Sequence, residues 1–155
     1  MLNVTLEKQK NLMKVTFAGD LTKNIPLEEL VGPPAPNMII NCRDLLRINS
    51  VGIRVWLRYF RMLAERRVHV TLQECPPSIV EHFNNISNFR GKAVVESILV
   101  PYRCIACKNG ETILYTIEEI QERLPPVETK CGHCGKSSVF DDITQEYFRF
   151  TKEID

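Results

Sequence analysis

Hydrophobic and polar residues alternate in "LMKVTFAG", where Met13, Val15 and Phe17 interleave with Lys14, Thr16 and Ala18. A period of two marks a half-buried strand. With "NVTLE" before it and the polar "KQKN" between, it predicts an opening hairpin. "NMIIN" is a short apolar run that reads as a buried strand, and "CRDLLRIN" leads from it into a long helix over roughly Val51 to Arg66. In that helix Ile53, Trp56, Leu57, Phe60 and Leu63 make one apolar stripe, and Arg54, Arg58 and Arg61 lie on another face. "PLEELV" and "PPSIVEHF" are helices with proline at their starts. "VHVTL" and "AVVESILV" are strands, and Pro101 closes this first unit. Strands alternating with helices after a hairpin predict an α/β fold with a mixed sheet.

The tail follows a different pattern. "YRCIACKNGETILY" and "KCGHCGKSSVF" are two knuckle-and-strand segments flanking "TIEEIQERLPP". The middle segment predicts a helix opened by a Thr116–Glu119 capping box and stopped by Pro125–Pro126. "EYFRF" reads as a last strand. The chain thus divides into residues 1–100 and a small module over 101–155.

The module carries the strongest chemical signal. Four of the six cysteines form two C-x-x-C pairs, Cys104 with Cys107 and Cys131 with Cys134, separated by the 23 residues Lys108 to Lys130. Two residues between cysteines let one tight turn present both sulfurs to one ion, and four thiolates suit tetrahedral Zn²⁺. The second knuckle has Gly132 and Gly135 to make its turn, whereas the first delays its glycine to Gly110. Four cysteines fill the shell, so His133 is expected to face solvent. With no open coordination position the zinc is structural, and this part of the chain resembles zinc ribbons in general. Disulfides are disfavoured in a reducing compartment.

Ser50 and Gly52 stand where the long helix begins. Serine is a preferred helix cap, and Asn49 can serve equally. Gly52 suits a tight strand-to-helix entry, and an arginine stripe is by itself a solvated face.

The order of these elements also resembles a family. Two opening strands, a short helix and then "MIINCRDLLRINSVGIRVWLRYFRMLAERRVHVTLQECPPSIVEHF" are similar to the STAS domain of anti-sigma factor antagonists and of sulfate transporters. The pattern is an apolar strand, Asp44 with Leu45 and Leu46, an isoleucine before a polar–Ser–x–Gly turn, a long helix and a "V-x-V" strand. The resemblance covers about residues 1–100. It implies a sheet with helices packed mainly on one face and a non-enzymatic regulatory module that binds a protein, such as an anti-sigma-factor kinase or a related sensor. It further implies Ser50 as the residue phosphorylated, with Asn49, Val51, Gly52, Arg54 and Arg58 forming the contact face. Arg47 and Arg54 are the nearest charge partners for a phosphate. The residue before the serine, commonly acidic in the family, is Asn49 here, and the second small polar residue is replaced by Val51.

Charge and composition narrow the alternatives. Residues 1–100 carry a net +4 and residues 101–155 a net −3. A ribbon that meets phosphates should be basic, so nucleic-acid binding is the weaker reading. No apolar run reaches the length of a membrane span, and "MLNVTLEKQK" lacks the apolar stretch of an export signal, which points to the cytoplasm. His69, His82, Cys42 and Cys75 are scattered. With no phosphate-cradling loop and no nucleophile elbow, the chain does not read as an enzyme.

Overall fold

The computed structural model describes residues 1–153. Its first sheet has five strands in the order β1-β2-β3-β4-β5: Asn3–Lys8, Leu12–Leu21, Asn37–Ile48, His69–Gln73 and Val94–Val95. β1 and β2 form the antiparallel hairpin, and every later neighbour pair is parallel. Three helices make the parallel crossovers: α1 (Leu27–Val31), α2 (Ser50–Glu65) and α3 (Pro77–Asn85). Each crossover steps one strand in the same direction, and such connections are right-handed. All three helices therefore pack on one face of the mixed sheet.

The alternation along the strands selects that face. Met13, Val15, Phe17, Met38, Ile40, Val70 and Leu72 are buried beneath the helices. Lys14, Thr16, Ile39, Asn41, Thr71 and Gln73 lie on the opposite, uncovered face. There Glu74 accepts from Asn41 and forms an ion pair with Arg43 at 2.9 Å. The arginine, and next the Asn41 amide, hold the Glu74 carboxyl below its ordinary value.

Three sequence expectations are corrected here. First, β3 is twelve residues long, so "CRDLLRI" continues the strand. Beyond Asn41 it has left β4 and pairs only with β2, across two register shifts. Second, "AVVESILV" is shared between two sheets. β5 pairs with β4, but after Glu96 the chain continues as β6, Ser97–Cys104, the strand at the heart of the second sheet. Pro101 lies inside β6, so the boundary read at residue 100 falls within a strand. Third, "EYFRF" forms the helical turn α5 (Thr144–Tyr147) and a 3₁₀ turn over Arg149–Glu153.

The apolar stripe of α2 is also rotated from its predicted centre. Val55, Trp56, Tyr59, Phe60 and Leu63 are buried with Gly52, whereas Ile53 and Leu57 are half-buried. Trp56 stacks between Phe60 and Phe89, and its Nε1 donates to the Phe89 carbonyl at 2.9 Å.

The second sheet has the order β7-β6-β9-β8, with β7 at Gly110–Thr116, β8 at Glu128–Lys130 and β9 at Ser137–Phe140. All its pairs are antiparallel. Helix α4 (Ile117–Glu122) opens with the expected capping box.

The two sheets share one core. Glu96 N donates to Leu72 O, Cys75 N to Ser97 O, and Leu99 N to Cys75 O. The C-terminal turns then bind α3. Asn84 donates from Nδ2 to Tyr147 O and accepts from Phe150 N at Oδ1, both at 2.9 Å. Phe150 packs on Phe83, and the Tyr147 hydroxyl donates to Leu99 O. The buried cluster runs unbroken from Leu2 to Phe150.

Candidate functional site

Two antiparallel hairpins place the four cysteines. Cys104 ends β6, and its knuckle turns the chain into β7; Cys131 follows β8, and its knuckle turns the chain into β9. Pairing of β6 with β9 brings the two knuckles together. All four sulfurs lie within 4.8 Å of one another. Cys104 Sγ is 3.4 Å from Cys134 Sγ, and Cys107 Sγ is 3.8 Å from Cys131 Sγ. A tetrahedral ion with metal–sulfur bonds of about 2.3 Å has sulfur–sulfur edges of about 3.8 Å. The cluster therefore fits one tetrahedral metal ion. His133 is exposed and lies outside the cluster.

The two knuckles are built alike. The Cys104 carbonyl accepts from Lys108 N, as the Cys131 carbonyl accepts from Gly135 N. Cys104 N donates to Asn109 O, as Cys131 N donates to Lys136 O. In each, the fourth residue after the first cysteine takes left-handed backbone, with φ +66° at Lys108 and +79° at Gly135. Gly135 adopts this conformation readily, whereas Lys108 adopts it against the repulsion of its own Cβ. Lys108→Gly is therefore expected to raise the stability of the metal-loaded protein by about 1 kcal/mol, and Gly135→Lys to lower it by about as much. Thermal unfolding of the two variants beside wild type checks both signs.

Backbone amides prepare the sulfurs for a cation. Cys107 N donates to Cys104 Sγ at 3.4 Å and brings that thiol down to about 6, so it is ionised at neutral pH. The N–H groups of Cys134 and His133 likewise lower Cys131. The Asn109 N–H favours the Cys107 thiolate too, but desolvation and the neighbouring cysteines outweigh it and raise that thiol to about 11. Metal binding therefore has to displace a proton from Cys107.

Two supporting side chains escaped sequence reading. Glu111 on β7 accepts from Gly132 N at 3.1 Å, so the first hairpin caps the second knuckle. Arg103 on β6 donates to Lys108 O at 2.9 Å and pairs with Asp141 at 3.3 Å, bracing the first knuckle. Neither residue lies within a cysteine motif. Only the strand pairing brings them there.

At the start of α2 the cap is Asn49. Its side chain accepts from Gly52 N at 2.9 Å and donates to Thr22 O at 3.2 Å. Ser50 is the first helical residue, exposed, and its hydroxyl has no hydrogen-bond partner among the described residues. Val51 is half-buried, and Gly52 is buried against the end of β2. Arg47 pairs with Asp20 at 2.7 Å. Arg58 donates to Asn24 and to Ile25 O and lies 3.7 Å from Glu28, so it ties α2 to the α1 entry. Arg54 is exposed and has no ion pair among the described residues. Leu46, 68% exposed four residues before Ser50, adds an apolar element that the "DLLRIN" run concealed.

The remaining candidates stay apart. His69 is exposed on β4. His82 packs against Phe89, and desolvation lowers its pKa. Cys42 and Cys75 are buried neighbours in the core, where burial and then the Cys42 thiol push Cys75 well above its ordinary value. Cys75 is thus an inert thiol at neutral pH. Among the described residues no helix is long and apolar enough to cross a membrane. A scan of protein-family models and a search of curated proteins both find no match to this chain.

Proposed function

We propose that this chain is a STAS-type regulatory interaction module, anti-sigma factor antagonist-like, whose docking face is the Ser50 turn and whose C-terminal ribbon holds a structural zinc. One observation carries the reading: Asn49 caps α2, which leaves the adjacent Ser50 hydroxyl exposed and without a partner among the described residues. A phosphate added there keeps the cap intact. It also meets the positive end of a sixteen-residue helix that has no acidic residue in its first turn. Among the described residues Arg54 has no competing ion pair, and Arg47 can exchange Asp20 for the new charge. In the unmodified form Ser50, Leu46 and Arg54 supply the polar, apolar and cationic parts of a protein contact. A phosphate of about −2 changes that surface, so it releases a partner selected for the neutral serine.

In the ribbon, Cys104, Cys107, Cys131 and Cys134 would hold the zinc. With four thiolates bound, the ion has no vacant position for a substrate and serves to close the two hairpins.

The expected result is phosphate incorporation at Ser50 when the purified protein is incubated with ATP and native lysate. It is read by mass spectrometry and is absent in Ser50→Ala. In affinity capture, Ser50→Asp loses a partner that Ser50→Ala retains. If wild type takes up no phosphate at this serine and both variants capture the same proteins as wild type, the switch reading fails.

A further inference from the structure

We infer that this protein forms a two-fold dimer by antiparallel pairing of the β1 edge with β1 of a second copy, making one continuous ten-stranded sheet. β1 is the outermost strand of the first sheet. Five of its six residues are exposed, and Val4 alone is half-buried. Its pairing with β2 runs from Asn3 to Lys8 without a register shift, and Gln9 N donates to Leu12 O. Hydrogen-bonded and non-bonded pairs alternate along an antiparallel ladder. Counting back from Gln9, residues 3, 5 and 7 direct their backbone groups at β2. Val4, Leu6 and Lys8 then direct theirs outward, and none has a backbone partner on that side among the described residues.

Edge strands of soluble proteins are commonly guarded by charged side chains, proline, a bulge, extreme shortness or a covering segment, and of these β1 has only the charges of Glu7 and Lys8 at its end. β1 contains no proline, shows no bulge and spans six residues. The opposite end of the sheet is protected, because β5 has two residues and the chain leaves it directly into β6.

The sequence of β1 favours a second copy of itself. A two-fold axis through Thr5 keeps the outward-facing residues bonded to one another, with Val4 opposite Leu6 of the second copy and Leu6 opposite its Val4. Those two apolar contacts lie on the helix-covered face, where Leu6 is 44% exposed in the single chain. Leu30 is 45% exposed on α1, an element that touches β1. On the open face Thr5 meets Thr5 and Glu7 meets Asn3. Apolar and Thr–Thr pairs stabilise cross-strand contacts. Glu7 is already matched with Lys14 on β2, and no like charges stand opposite in this register.

Sedimentation velocity from micromolar to near-millimolar protein should show a shift from 17.9 kDa to twice that mass. Leu6→Pro removes an outward donor without touching the ladder to β2, a position where edge strands accept proline. It should weaken dimerisation roughly tenfold or more. Thr5→Cys tests the register independently. Facing residues of a non-bonded pair sit about 4.5 Å apart at Cα, within disulfide reach. With diamide taking up the two hydrogens, Thr5→Cys should give a covalent dimer on a non-reducing gel, and Glu7→Cys should not. A wild type that stays monomeric throughout overturns the inference. A dimer indifferent to Leu6→Pro with no Thr5→Cys cross-link also overturns it.

Discussion

Cys104→Ser is expected to abolish stoichiometric metal binding and to unfold the second sheet. Cys104 is fully buried at the end of β6, and backbone N–H groups bring its thiol down to about 6. Binding of a structural zinc by such sites contributes on the order of 10 kcal/mol, comparable with the whole stability of a domain. The ribbon cannot compensate from its own packing, because β8 and β9 have three and four residues and Cys134 is exposed. The damage should also reach the first sheet through β6 and through the Asn84 clamp on the C-terminal turns. Elemental analysis should find one zinc per chain in wild type and none in the variant. Circular dichroism with and without a chelator should show chelated wild type resembling Cys104→Ser. Wild type that melts identically with and without chelator would sink the claim.

Gly52→Ala should be the most damaging single-methyl change in the chain. A Cβ on Gly52 would stand 1.8 Å from the Leu21 carbonyl oxygen and 2.8 Å from its carbon. Both are backbone atoms at the end of a strand, so neither can rotate away. Overpacking of this kind costs about 3 kcal/mol, and α2 must slide along β2 to relieve it. Sliding also strains the Asn49 cap, because Gly52 N is the group that Asn49 holds. A lowered denaturant midpoint for Gly52→Ala, with Ser50→Ala close to wild type, is the expected pattern. Comparable midpoints for the two variants would remove the steric argument.

Elements decided by local chemistry were legible in the sequence, and those decided by pairing were not. The hairpin, α2, the Thr116 capping box and the four-cysteine cluster follow from alternation, helical spacing and thiolate preference. "CRDLLRI" concealed a strand because past Asn41 it pairs on one side only, with bulges that break the period of two. Leu45 is buried while its neighbour Leu46 is exposed, and two adjacent leucines do not announce which faces in. "AVVESILV" is apolar except at Glu96 and Ser97, so nothing local tells which sheet each half joins. "EYFRF" looked like a strand from its aromatic residues. Tyr147, Phe148 and Phe150 are buried instead around Phe140 and Phe83, through a helical turn. At the start of α2, the close packing of Gly52 was legible. The assignment of the cap to Asn49 over Ser50, and the engagement of Arg58 with α1, depended on the position of the loop after β2.

The course of β6 has a consequence for how this polypeptide can be divided. A cut after residue 100 would sever β6 midway, parting Ile98 and Val100 from Tyr115 and Ile113 on β7 and the Tyr147 hydroxyl from the Leu99 carbonyl. The two halves of the chain thus share one strand and one buried core.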